Sequence, residues 1–469
     1  MKLIYDVGDK PKLGETLVFG FQQMIAIMAA TLLVPILMST YTMTDGSTLT
    51  FDPAAALFGA GIGSLVYVFC TKRRSPVFLG SSFTFLGAYQ AIIGMNYGYW
   101  GVIIGVAMAG LVYVVIALII KACGSGWVNR LMPAVIIGPI ITLIGLSLSG
   151  TATSWMATNG GANYSLITIA VGIITFLAIC WVSVKGSKNM KLIPFIIGIA
   201  VGYVIALVLT LIGMAADIPM LQILSFDAFK TVFEPFTFRS ILDYPKFTFL
   251  QAIKTNGMYP LDGAAISNIA TTFVPIAVVE LAQHIADHKN LGSIIERDLI
   301  TDPGLDHTLI GDGVGSAVGA FFGGAANTTY GESIGCVAIT GNASIVSIVT
   351  AALGCMILSF VTPFVALINS IPKCVMGGAC IALYGFIAVS GLNQLAKVDL
   401  NDNKNLYIVS AILVTGIGGL ALNFGVNGIT GGPLISLTAL ATALILGLVT
   451  KAIVKEKGDT DALAEDIDK

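Results

Sequence analysis

Charge is scarce in this sequence. Only 11% of its 469 residues are Asp, Glu, Lys or Arg, against about 25% in soluble globular domains, and the mean hydropathy is +0.90. A water-soluble fold of this length is excluded. Clustered basic residues are also lacking. The 24 Lys and Arg are scattered and the formal net charge is -2, which leaves no electrostatic footprint for nucleic acid. The seven cysteines lie in or beside apolar runs without metal-ligand spacing, so they read as reduced packing residues, with no disulfide framework and no metal site expected.

What is abundant is apolar side chains, 56% of the chain, and glycine, with 53 residues. Small residues let helices approach closely in a bilayer, where no hydrophobic force drives them together. The composition predicts an all-α polytopic membrane protein. Apolar runs, cut where charges interrupt them, place fourteen spans near 17–38, 54–71, 76–92, 98–120, 131–149, 164–184, 192–214, 263–285, 308–323, 326–340, 343–369, 374–393, 405–423 and 430–450. Most approach the ~20 residues needed to cross the hydrocarbon core. The first run, from Thr16 to Thr44, is too long for a signal-peptide core and has no small-residue cleavage site, so it is expected to remain as a span.

Lys and Arg accumulate in cytoplasmic loops, and with both termini inside, all but Lys230, Arg239, Lys246, Lys254 and Lys373 fall on that face. The expected organisation is a cytoplasmic N-terminus over 1–16, a first seven-span repeat over 17–214, an extracytoplasmic loop over 215–262, a second seven-span repeat over 263–452 and a cytoplasmic tail over 453–469. An odd number of spans per half inverts the second half relative to the first, the arrangement of carriers whose substrate sits at the midplane between discontinuous spans. The matching pair is the third and tenth, Pro76-Val-Phe-Leu-Gly-Ser-Ser-Phe83 and Asn327-Thr-Thr-Tyr-Gly-Glu-Ser-Ile-Gly335, both polar, Gly-bearing and poor as helices. The loop aromatics, from Phe226 to Phe247, suit a surface cover in the outer headgroup region.

Two charges stand out. From Gly263 to Ala286 the single charged side chain is Glu280, and from Gly313 to Pro372 it is Glu332. An intramembrane charge costs roughly 3 kcal/mol or more and defaults to function. Glu280, His284 and His288 share one helix face at i, i+4 and i+8. Because His288 sits with Asp287 and Lys289 at the expected cytoplasmic end, a proton pair of Glu280 and His284 is favoured over a metal site. Asp312 is expected to bond backbone donors of a nearby broken helix, and His307 to be a loop residue. Gly331-Glu-Ser-Ile-Gly335 fits the G-x-S-x-G pattern of serine hydrolases without its strand-turn-helix context. Gly59-Ala-Gly61-Ile-Gly63 reads as a packing face rather than a nucleotide loop.

The stretches Leu32-Leu-Val-Pro-Ile36, Leu79-Gly-Ser-Ser-Phe83, Glu280 to His284, Arg297 to Gly304, Asn327 to Glu332, Ala338-Ile-Thr340, Val375-Met-Gly-Gly378 and Leu383-Tyr-Gly385 resemble the nucleobase-ascorbate transporter family, and within it the bacterial uracil permeases, over nearly the whole chain. The resemblance implies a core domain of spans 1–4 and 8–11, a gate domain of the rest, short strands in spans 3 and 10, a homodimer and an inner-membrane location. It implies uracil import by proton symport, with no cofactor beyond the coupling proton. Glu280 and Glu332 would face the base, Phe83 and Gly331 would give backbone donors, and the Phe83 ring would cover the base. His284 would join Glu280 in the proton relay, supported by Ser82, Tyr330 and Tyr384. Two departures are Ser333, where these permeases usually have Asn, and Gly341, where a basic residue is common. Xanthine or another nucleobase, an anion carrier of the same inverted architecture and an intramembrane hydrolase are the alternatives.

Overall fold

The computed structural model describes residues 3–43, 46–124, 126–127, 132–188, 190–255, 257–259, 261–425 and 435–454. Lys2, Arg130, Lys455, Lys457 and Lys469 of the expected cytoplasmic charge, the start of the fourteenth span and the tail beyond 454 lie outside the described residues.

Helices dominate. In chain order they are α1 (Leu13–Met38), α2 (Pro53–Cys70), α3 (Leu86–Gly94), α4 (Gly98–Cys123), α5 (Ala134–Ser147), α6 (Ser149–Thr158), α7 (Leu166–Lys185) and α8 (Pro194–Ala215). The loop helices α9 (Asp227–Phe233) and α10 (Thr248–Lys254) follow. The second half holds α11 (Gly263–Ile295), α12 (Leu305–Gly323), α13 (Gly331–Thr340), α14 (Ile345–Leu358), α15 (Thr362–Asn369), α16 (Lys373–Leu395), α17 (Asn403–Ile417) and α18 (Ala439–Ile453). Among the described residues, eight helical stretches are long and apolar enough to cross a membrane, with α5 and α6 counted as one.

The elements fall into two packing groups. In one, α12 lies against α2 and α4, and α1 lies against α2 and α14. The contact is made by glycine: a Cβ on Gly59 would sit 2.5 Å from the Gly319 carbonyl oxygen, and one on Gly110 would sit 2.3 Å from that of Gly313. The Gly59-to-Gly63 run is thus a packing face, as its spacing predicts. In the other group α16 packs on α5, α6 and α7, while α17 pairs with α18.

Between α2 and α3 the chain runs extended as β1 (Leu79–Ser81), and between α12 and α13 as β2 (Asn327–Thr329). The two strands pair antiparallel, Gly80 opposite Thr328, and Ser82 N–H extends the ladder to the Ala326 carbonyl at 2.8 Å. Non-helical backbone at membrane depth needs internal partners. Here Ser64 Oγ of α2 accepts from Leu79 N–H at 2.8 Å, the Tyr89 hydroxyl accepts from Ala326 N–H at 2.7 Å, and the Ser316 hydroxyl of α12 donates to the Asn327 carbonyl. The Tyr330 ring lies over Gly80, where a Cβ would be 2.5 Å from it, and its hydroxyl reaches the Ser81 carbonyl at 3.2 Å. Beyond α17, β3 (Leu422–Phe424) pairs with β4 (Ile435–Leu437).

Three expected boundaries differ. The fifth span, cut at 149, continues as α6 to Thr158, because nothing charged interrupts it. The eleventh divides into α14 and α15 at Ser359–Val361, ahead of Pro363. The eighth runs ten residues past its expected end, to Ile295, because Asp287 and His288 turn inward instead of meeting solvent.

The chain's beginning is built in. Ile4 N–H donates to the Gly341 carbonyl at 2.7 Å, Ala343 N–H to the Tyr5 carbonyl at 2.9 Å, and Arg297 pairs with Asp6 at 2.5 Å. Gly341 takes φ +71 as it ends α13, a left-handed conformation that glycine adopts without cost. In the loop over 215–262, Phe247 packs on Phe58 and Phe322 with ring centroids 5.0 and 5.4 Å away, while Phe236, Phe238 and Tyr244 stay exposed.

Candidate functional site

A cavity of about 640 Å³ lies where the two packing groups face one another, within the range of small-molecule sites. One wall comes from β1, β2 and the segments that follow them: Ser81, Ser82, Phe83, Thr84, Thr328, Thr329, Tyr330, Gly331 and Glu332. α1 adds Ile25 and Ala26. The opposite wall holds Ile141, Ile144, Phe195, Phe386 and Ile387, with Lys191 also among the lining residues.

Glu332 stands in the first turn of α13. The amides of that turn have no carbonyl one turn back to bond, so the helix start offers donors at Gly331 and favours the carboxylate beside them. The next residue explains the local rigidity. The Ser333 hydroxyl is buried, receives Gln23 Nε2 of α1 and accepts Phe78 N–H at 3.0 Å. It is engaged structurally, with no histidine beside it, which removes the hydrolase reading. Phe83 meets Tyr384 edge-on with centroids 5.7 Å apart; Tyr384 is 2% exposed and supports the Phe83 ring from behind the cavity wall.

Helix α11 presents its polar residues differently from expectation. At about 100° per residue, Glu280, His284 and His288 fan round one flank of the helix, while Gln283 and Asp287 lie round the other. Gln283 and Asp287 line the cavity, and Asp287 Oδ2 accepts from the Thr329 hydroxyl at 2.9 Å. Asp287 is thus a cavity residue and not the charged end of the span. Glu280 does not line the cavity: it is 1% exposed, and its Oε2 accepts from the Ser82 hydroxyl at 3.3 Å.

The pairing of Glu280 with His284 is not formed. His284 Nδ1 meets Asp312 Oδ2 at 2.6 Å and Nε2 meets Thr308 Oγ1 at 3.0 Å, so both ring nitrogens are engaged by α12. His288 is also fully buried, with Nδ1 on the His284 carbonyl at 2.8 Å and Nε2 on the Tyr67 hydroxyl at 2.7 Å. A backbone acceptor requires Nδ1 to carry the proton, which leaves Nε2 to accept from Tyr67. His307, expected in a loop, lies in the first turn of α12, 3.1 Å from Lys72 Nζ. Of the expected residues, then, Ser82, Phe83, Tyr330, Gly331 and Glu332 share the cavity, and Glu280, His284 and Tyr384 lie behind it.

This geometry can be set beside known proteins. A family model described as the permease family, named for xanthine and uracil permeases, matches residues 14–424. The chain belongs to this family. The permease is similar to the uracil permease of Bacillus caldolyticus, 37% identical over 96% of this chain and 95% of that one. It is also similar to those of Bacillus subtilis (strain 168), 34% identical over 98% and 97%, and Escherichia coli (strain K12), 31% identical over 95% and 94%. Among solved structures, the fold is shared with the transmembrane domain of the cyanobacterial bicarbonate transporter BicA, TM-score 0.58 at 14% identity over 94% of this chain and 97% of that one. It is likewise shared with the murine Slc26a9 anion transporter, TM-score 0.59 at 11% identity over 95% and 69%. The permease is a multi-pass membrane transporter and not an enzyme.

Proposed function

We propose that this permease carries a nucleobase, uracil first, inward across the plasma membrane with a proton, by alternating access. The supporting observation is the meeting of Glu332 and the Gly331 and Phe83 backbones in one cavity between two separately packed groups of elements. Uracil offers ring N–H donors and carbonyl acceptors on a flat edge. Glu332 accepts from a ring N–H, the α13 amide donates to a carbonyl, and the Phe83 ring covers the face. Gln283, with both a donor and an acceptor, and Asp287 complete the polar lining.

In this reading the coupling proton travels on the carboxylates that face the cavity, Glu332 and Asp287. His284, held by Asp312 and Thr308, positions α11 against α12. The α1–α4 and α11–α14 group with β1 and β2 is the core and the α5–α8 and α16–α18 group the gate, each drawing spans from both inverted seven-span halves of a fourteen-span chain that forms a homodimer with its termini cytoplasmic. Because Lys191 lines the cavity and lies in a loop assigned to the cytoplasm, this conformation opens inward. An anion carrier is disfavoured, since two carboxylates line the same space and repel an anion. Uptake of labelled uracil into vesicles, with and without an inward proton gradient and against unlabelled xanthine, tests the reading. Gradient-driven accumulation is expected, and its absence for every nucleobase would overturn it.

A further inference from the structure

The segment ahead of α1 is packed as part of the core. Val7 and Pro11 are buried, and the chain from Ile4 to Asp9 lies along the turn between α13 and α14. The N–H groups of Ile4 and Tyr5 both donate to the Gly341 carbonyl, at 2.7 and 3.3 Å, and Tyr5 forms a parallel bridge with Asn342. The Val7 carbonyl accepts from Ile345 N–H at 3.3 Å, and the Asp9 carbonyl accepts from the hydroxyl of Ser344, the N-cap of α14, at 2.7 Å. Two side chains tie the segment down in turn. Asp6 pairs with Arg297 of the α11–α12 connection at 2.5 Å, while the Tyr5 hydroxyl donates to Glu15 of α1 at 2.7 Å and its ring meets Phe19 edge-on.

α13 has only ten residues, about 15 Å at 1.5 Å per residue, and a helix this short is marginal by itself. It is held at both ends. At the cavity end Ser333 is bound by Gln23 and Phe78, and at the other the leading segment fastens Gly341. A short rigid helix carries a tilt from one end to the other: about 2° over ~15 Å moves the Glu332 end by ~0.5 Å, roughly the tolerance of a preorganised site. We infer that residues 4–9 are a positioning element for the base site. They fix the far end of α13 and so aim Gly331 and Glu332 into the cavity, and their docking sets the affinity for the base. None of them lines the cavity, so the segment acts through α13. Its effect on the base rests on the transport reading; its hold on α13 stands on the hydrogen bonds alone.

The test compares the purified full-length protein with a variant lacking residues 2–9, by calorimetric titration of uracil and by hydrogen exchange of the α13 amides without base. The shortened protein is expected to bind uracil at least about fivefold more weakly, and its amides from Glu332 to Thr340 to exchange faster. A second pair of variants tests the hold in a chain of full length. Asp6→Arg sets like charges together at Arg297 and is expected to give a smaller loss of affinity in the same direction, and adding Arg297→Asp restores the pair in reverse and is expected to recover most of that loss. Unchanged affinity in both the shortened protein and Asp6→Arg, even with a lowered unfolding temperature, would make the segment a surface staple and overturn its positioning role. So would α13 amides that exchange no faster, or a loss that the double variant fails to recover. Should the unaltered protein bind no uracil, the transport reading fails, and the exchange of α13 alone decides the hold.

Discussion

At the residue scale the permease turns on neighbouring side chains that do different work. Glu332 faces the cavity, and Ser333 faces the protein and holds Gln23 and Phe78. Glu332→Gln keeps the shape but replaces one acceptor oxygen by a donor, so uracil uptake should fall at least tenfold with unchanged membrane abundance; a variant with normal uptake would remove Glu332 from the site. Ser333→Ala should leave the buried Phe78 amide without its partner and cost about 1–3 kcal/mol, read as a lowered unfolding temperature. Glu332 was legible in the sequence because it is the lone charge in a long uncharged stretch. Asp287 was not, because a charge beside His288 and Lys289 looks like the end of a span. Only the inward turn of both Asp287 and His288 shows that α11 continues. Glu280 lies behind the cavity wall, a placement the sequence leaves open because it fixes the spacing to His284 but not which flank of α11 meets the cavity.

At the element scale, the two short strands replace helix beside the cavity. Their breaks were readable from Gly80, Ser81 and Ser82 and from Asn327 to Gly331, residues poor at sustaining helix. Their mutual register was not, since the partners are far apart in sequence and are fixed by Ser64, Tyr89 and Ser316. The glycine contacts between α2, α4 and α12 leave no room for a side chain. Gly110→Leu should force α4 from α12 and destabilise by roughly 1–3 kcal/mol or more, with loss of folded, monodisperse protein on gel filtration. The same change at Gly87, where nothing lies within 4 Å of an added Cβ, should be tolerated, and equal behaviour of the two variants would refute the packing argument.

At the scale of the whole molecule, a membrane carrier was evident from composition, while the grouping of elements into two bodies required the contacts. If the bodies move against each other, the cavity wall on α16 must change its exposure. Ser390 lines the cavity and is exposed, so Ser390→Cys should be alkylated by a membrane-impermeant maleimide applied to the cytoplasmic face, and more slowly when uracil is bound. Indifference to uracil would place the base elsewhere.

The seating of Ile4 to Val7 along Gly341 to Ile345 bears on how the polypeptide matures. This stretch is made before α1 and finds its partner only after the helices up to α13 have been made, so it must wait unpaired at the membrane surface while those helices insert. Trimming those leading residues would then be felt as slower completion of assembly, with half-built molecules exposed longer to proteolysis.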